Sequence, residues 1–142
     1  MKTILMSLFV MVIIGAGKTQ ISAQNEKAKD GVYFITEEMP EYPGGQDSLR
    51  NDIAAAIKYP KEAAKKGIQG KVYVTFVVDE QGNVTDAKIV RGVDPLLDRE
   101  SLRVINELKT WTPGKEKGKA VKVSYTIPIL FALDDSKKEK KE

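Results

Sequence analysis

The chain has no cysteine and no histidine. The residue types that most often serve as nucleophile, proton shuttle and metal ligand are therefore missing. Cys-His catalysis, a Ser-His-Asp triad and zinc sites built on Cys or His are excluded, and so is a disulfide framework. Carboxylates remain. Asp98 and Glu100 stand two apart near the start of an expected helix. Acidic residues there complement the helix dipole, which accounts for them without a catalytic role. Asp79, Glu80 and Asn83 offer oxygen ligands, but the loop is too short for an EF-hand and reads as a hairpin turn. Gly44-Gly45 lacks the spacing of a phosphate loop and reads as a turn as well. Trp111, next but one to Pro113, reads as a packing anchor between a helix and the last strand. No catalytic, cofactor-binding or metal-ligating residue is expected, and no cofactor.

Main-chain hydrogen bonding is the chemistry left. Val121, Val123, Tyr125, Ile127 and Ile129 alternate with Lys122, Ser124 and Thr126, the period of a half-buried strand. Pro128 falls inside this run. Proline has no N–H to give to a ladder, so a strand containing it belongs at a sheet edge or a bulge. An open edge is a template for a further strand. The partner-binding surface is therefore expected along Val121, Val123, Tyr125, Ile127 and Ile129, with the alternating side chains adding selectivity.

Other elements must place that strand. Residues 71–78 are rich in valine and put Val72, Val74, Phe76 and Val78 on one face. A turn over 79–83 leads to a return strand over 84–91. A helix is expected over 47–58, capped by Asp47 or Ser48 and ended by Tyr59-Pro60. A short helix over 61–66 follows. Another starts at Asp94-Pro95 or Asp98 and runs to about Lys109, with Leu97, Ser101, Val104, Ile105 and Leu108 as its buried stripe. Val32 to Ile35 reads as a small strand. The sum is an α+β fold: a three-stranded antiparallel sheet with two main helices packed on one face.

The 142 residues suffice for one domain. The formal charge is +3, but residues 24–133 hold 17 basic and 16 acidic side chains with the signs interspersed. That gives no basic footprint for nucleic acid. Residues 1–23 have a charged start, an apolar centre and Ala23 before Gln24, the order of a signal peptide. As a helix, residues 4–17 would be about 21 Å long, short for a bilayer core of about 30 Å. Cleavage and export are expected, with a short anchor as the alternative. Residues 24–39 read as a flexible segment, 40–133 as the domain and 134–142 as a charged tail.

These pieces, in order, resemble a known family. Pro43-Gly44-Gly45, Tyr59-Pro60, the run Gly70 to Val78, Leu97 to Leu102, Trp111-Thr112-Pro113-Gly114 and Tyr125 to Phe131 together resemble the TonB C-terminal domain. The resemblance implies an energy-transducing role and no enzymatic activity. It implies a periplasmic location and capture of the TonB box of an outer-membrane TonB-dependent receptor by strand addition. It also places Tyr59 and Pro60 near the bound segment. Transducers of this kind carry a full membrane helix and a long proline-rich linker. The leader here is short, and only 16 residues separate it from Pro40. A free-standing domain is therefore expected, one that competes with or assists an anchored TonB complex. The alternatives are self-association, as a homodimer, and cell-wall binding without energy transduction.

Overall fold

The structure, a computed structural model, describes residues 30–134. The leader, residues 24–29 of the expected flexible segment and nearly all of the tail lie outside the described residues. In chain order the elements are β1 (Val32–Tyr33), α1 (Gly45–Ala56), α2 (Lys61–Lys65), β2 (Gly70–Val78), β3 (Val84–Arg91), α3 (Pro95–Asn106), β4 (Gly114–Glu116) and β5 (Lys119–Phe131).

Strand β2 is the spine of the sheet. Its valines and Phe76 suit a pleated surface, and Val72, Val74, Phe76 and Val78 are fully buried on one face. It pairs antiparallel with β3 on one side and with β5 on the other, the latter without interruption from Gly70↔Phe131 to Val78↔Val123. The turn into β3 is built by Asp79, whose carboxylate accepts the amides of Gln81 and Asn83 at 3.0 and 2.8 Å. Gly82 sits at φ 83°, and a Cβ there would lie 1.8 Å from the Trp111 carbonyl oxygen. Only glycine serves at that position.

The three-stranded sheet and two main helices are present, and the sheet has gained two short members. Its order is β1-β5-β2-β3, with β4 paired to the start of β5. β1 runs parallel to β5, Val32 opposite Lys122 and Tyr33 opposite Val123. β4 forms a hairpin with β5 through Lys117-Gly118, both at positive φ. The turn-rich run 111–118 thus contains a strand. A two- or three-residue strand has no periodicity to betray it.

The helices cover the face that buries Val72 to Val78. α3 is capped by Asp94, which accepts the Leu96 amide at 2.9 Å, with Pro95 in the first turn. It buries Leu97, Ser101, Val104 and Ile105. α1 starts two residues earlier than expected, at Gly45. Its cap residue, Gly44, is left-handed and gives no side-chain bond, so neither Asp47 nor Ser48 caps it. Leu49 is buried, and Ile53 and Ile57 pack partly buried beside it. Trp111, 2% exposed, is a packing anchor on the last strand, but its ring neighbours are strand and loop residues rather than helix residues: it lies 5.1 Å from Tyr125, 5.3 Å from Tyr42 and 5.7 Å from Phe76. Among the described residues, the opposite face of the sheet carries no helix. Tyr73, Thr75 and Val77 lie there beside Pro128, Thr126 and Ser124.

Candidate partner-binding edge

A strand can accept a partner only where its own main-chain groups point outward. In an antiparallel pair, successive residues turn those groups alternately towards and away from the neighbouring strand. Pro128 decides the parity in β5. It stands opposite Tyr73 in the ladder, and a prolyl nitrogen has no hydrogen to give, so this pair is one of the non-bonded ones. The continuous register extends the rule from 123 to 131. Odd-numbered residues turn their main chain to β2; Ser124, Thr126, Pro128 and Leu130 turn theirs to the outer edge. β1 covers that edge at Lys122 and Val123; because Val123 turns its main chain to β2, the parallel pair with Tyr33 is made by the Lys122 carbonyl and the Ser124 amide. From the Ser124 carbonyl onward no described strand pairs there.

The other end of the sheet differs. β3 also has an unpaired outer side, but its register with β2 shifts between Tyr73 and Val74 and again between Thr75 and Val77. Asp86 adopts φ 51° within it. Bulges and exposed charges of this kind blunt an edge. Of the two free edges, β5 offers the regular one.

Side chains frame it. On the open face stand Thr126, Pro128 and Leu130, the last 60% exposed. Thr126 donates to Thr75 at 3.0 Å. A groove of about 690 Å³ on that face is lined by Val32, Phe34, Thr75, Val77, Lys88 and Ser124 among others. On the helix face, Gln46 donates to the Tyr125 hydroxyl at 2.9 Å, which ties the start of α1 to the strand. Among the described residues, no group of three or more carboxylates is placed to hold a metal ion.

The family described as Gram-negative bacterial TonB protein C-terminal matches residues 55–133, from within α1 to just past β5. The chain belongs to the TonB C-terminal family. Protein TonB of Helicobacter pylori is 30% identical over 118 residues, covering 79% of this chain and 39% of that protein. Protein TonB of Haemophilus influenzae is 31% identical over 111 residues, covering 75% of this chain and 40% of its own length. The chain thus spans about two fifths of these relatives. The solution structure of a Helicobacter pylori TonB C-terminal domain superposes with a TM-score of 0.49 at 28% identity, covering 66% of this chain and 88% of that one.

In this TonB-family domain the five residues expected to meet a partner all lie on β5, with their side chains turned inward. Val123, Ile127 and Ile129 are buried in the core, while Val121 and Tyr125 are half-buried. This corrects which groups of β5 are presented: the outward main chain and the open-face side chains belong to the even-numbered residues. The signal was already in the sequence. Pro128 must face outward, and residues at spacing two share its side.

Tyr59 and Pro60 lie near the C-terminal end of β5, on its helix face. The Tyr59 ring packs edge-on to Phe131 at 5.6 Å, and its hydroxyl donates to the Ile68 carbonyl. Burial raises the pKa of that hydroxyl. Pro60 caps α2, its carbonyl accepting the Ala64 amide at 3.0 Å. A charged clamp holds the turn from behind. Arg103 binds Glu100 and Glu107 and donates to the Ala56 carbonyl at 2.8 Å, while Glu100 accepts the Lys58 amide at 3.2 Å. The Arg103 guanidinium holds the Glu100 carboxyl below its usual range, and the carboxylate keeps Arg103 firmly charged.

Proposed function

We propose that this domain works in the periplasm as a TonB-type binding module. It takes the TonB box of an outer-membrane TonB-dependent receptor as an added strand on the outer edge of β5 and so serves energy-dependent transport. One observation supports this most: outward main-chain groups run from the Ser124 carbonyl to Leu130 along a regular strand and are covered there by no described strand. Family membership supplies the kind of partner, an extended receptor segment, and strand addition supplies a physical mode that needs no cofactor. The mode explains why the site is poor in reactive side chains. Main-chain bonds provide affinity, and Thr126, Leu130 and the nearby Phe34 provide selective contacts.

Thr126→Pro tests the reading. It removes an outward donor and leaves the main-chain bonds to β2 in place, with loss of the side-chain bond to Thr75. Peptides covering the N-terminal segments of receptors from the source organism are titrated against both proteins by calorimetry. The tightest-binding peptide is expected to bind the variant at least about tenfold more weakly, because a second donor is lost and a ring is placed in the gap. The circular dichroism spectrum is expected to stay unchanged. A folded variant that binds as well as the native chain would exclude strand addition at β5.

A further inference from the structure

We propose that Pro128 deliberately shortens the capture site, so that the receptor segment is held weakly and leaves quickly. The inference rests on the strand-addition reading and adds a residue that tunes it.

Pro128 is exposed and lies in the middle of the unpaired edge, with its nitrogen outward. In an uninterrupted edge, outward donors recur every second residue, about 6.5–7 Å apart. Here the donors after Ser124 are those of Thr126 and Leu130, separated by about 13–14 Å. The carbonyls of residues 124, 126, 128 and 130 are all present. An added strand can therefore fill every acceptor on β5, but one of its own carbonyls must lie against the proline ring without a partner. This holds for a parallel or an antiparallel partner, since both ladders use the same outward groups. At the other end β1 takes the edge at Lys122 and Val123. The uninterrupted stretch left to a partner is thus centred on Thr126 and ends at the proline.

The position is not forced by the fold. The neighbouring outward residues are a serine, a threonine and a leucine, and the pair with Tyr73 needs no N–H from residue 128. The side chain is not buried, so packing does not demand proline either. Its distinctive effect is the missing rung. One net main-chain hydrogen bond corresponds to a factor of about 2 to 13 in affinity. Changes of this kind appear mainly in the rate of departure. A domain that must release its partner after each cycle gains from a faster departure.

Pro128→Ala and Pro128→Val restore the donor. The probe is the tightest-binding receptor peptide from the titration above, applied to the full chain. Both variants are expected to bind it about 2- to 13-fold more tightly, with the change in the dissociation rate. The new amide at position 128 is expected to exchange rapidly in the free protein and to be protected in the complex. If a variant instead pairs with a second copy and protects that amide without peptide, the proline is equally identified as the missing rung. An unchanged or weaker affinity in both folded variants, with a 128 amide that stays unprotected in the complex, overturns the inference. That result leaves strand addition standing if Thr126→Pro abolishes binding. If Thr126→Pro has no effect, both readings fall.

Discussion

Glu100 sits on the first turns of α3 and could be accounted for by the helix dipole alone, yet its partners give it a larger role. It accepts from Arg103 on its own helix and from the Lys58 amide, while Arg103 reaches the Ala56 carbonyl. One ion pair therefore fixes the chain where α1 ends and Tyr59-Pro60 begins. The Arg103 hydrogen bond chiefly lowers the Glu100 pKa from its usual 4.5, against a smaller opposing effect of burial. The unfolded chain therefore binds a proton near pH 4.5 that the folded chain still refuses. The stabilisation is complete above that value and is lost as pH falls through the folded pKa. Glu100→Gln is expected to lower stability at pH 7 and to flatten the fall in stability between about pH 5 and pH 3. Part of the slope will remain, because Asp52 is also depressed, mainly by the hydroxyl of Tyr42. Urea unfolding across that range checks both effects; an unaltered slope would show that the pair contributes no pH dependence. The sequence displayed the spacing of Glu100 and Arg103. Their contacts with 56 and 58 became visible only once α1 and α3 were packed.

The β4–β5 hairpin shows what is decided at the level of an element. Its two-residue turn places Lys117 at φ 51° and Gly118 at φ 75°, the form whose twist suits a tight hairpin. Glycine accepts that backbone freely, whereas a lysine there is strained by roughly 1 kcal/mol. Asparagine tolerates the left-handed region better. Lys117→Asn is expected to raise stability by up to about 1 kcal/mol, or about 4–8 °C in Tm for a domain near 100 residues. The Lys117 amide can keep its bond to Glu37, since it is a main-chain group. A thermal melt that does not rise would mean that the turn is already relaxed. Sequence reasoning found the long strands because alternation over eight residues or more is hard to mistake. It found β3 to its last residue and β2 to within one. It missed β4 because three residues carry no period, and β1 was expected two residues longer than it is. It left the direction of the β5 amides open, since apolar alternation reveals which side chains are buried and says nothing by itself about where the amides point.

At the scale of the whole molecule, stability rests on pairing between distant parts of the chain. The central β2–β5 ladder joins residues 45 apart in sequence (78 to 123) to 61 apart (70 to 131). β1 is an addition to that body. It touches β5 through two residues, and the chain after it is held independently by the Glu38–Lys115 and Glu41–Thr112 bridges. Residues Phe34 and Ile35, which follow it, are more than half exposed. Removing the chain through Tyr33 should therefore cost the main-chain bonds of β1, about 1–3 kcal/mol, together with the contacts of the partly buried Val32 and Tyr33. A domain of ordinary stability, about 5–15 kcal/mol, survives such a loss. The same deletion frees the outer edge of β5 back to Lys122. A receptor segment that pairs along the whole edge gains rungs there, so its affinity is expected to rise by about 2- to 13-fold for each bond added. Denaturant unfolding and peptide titration of the shortened chain separate the two consequences. Loss of stability with unchanged capture would confine the bound strand to the stretch beyond Ser124. Loss of capture in a folded shortened chain would make β1 part of the platform on which the partner is held.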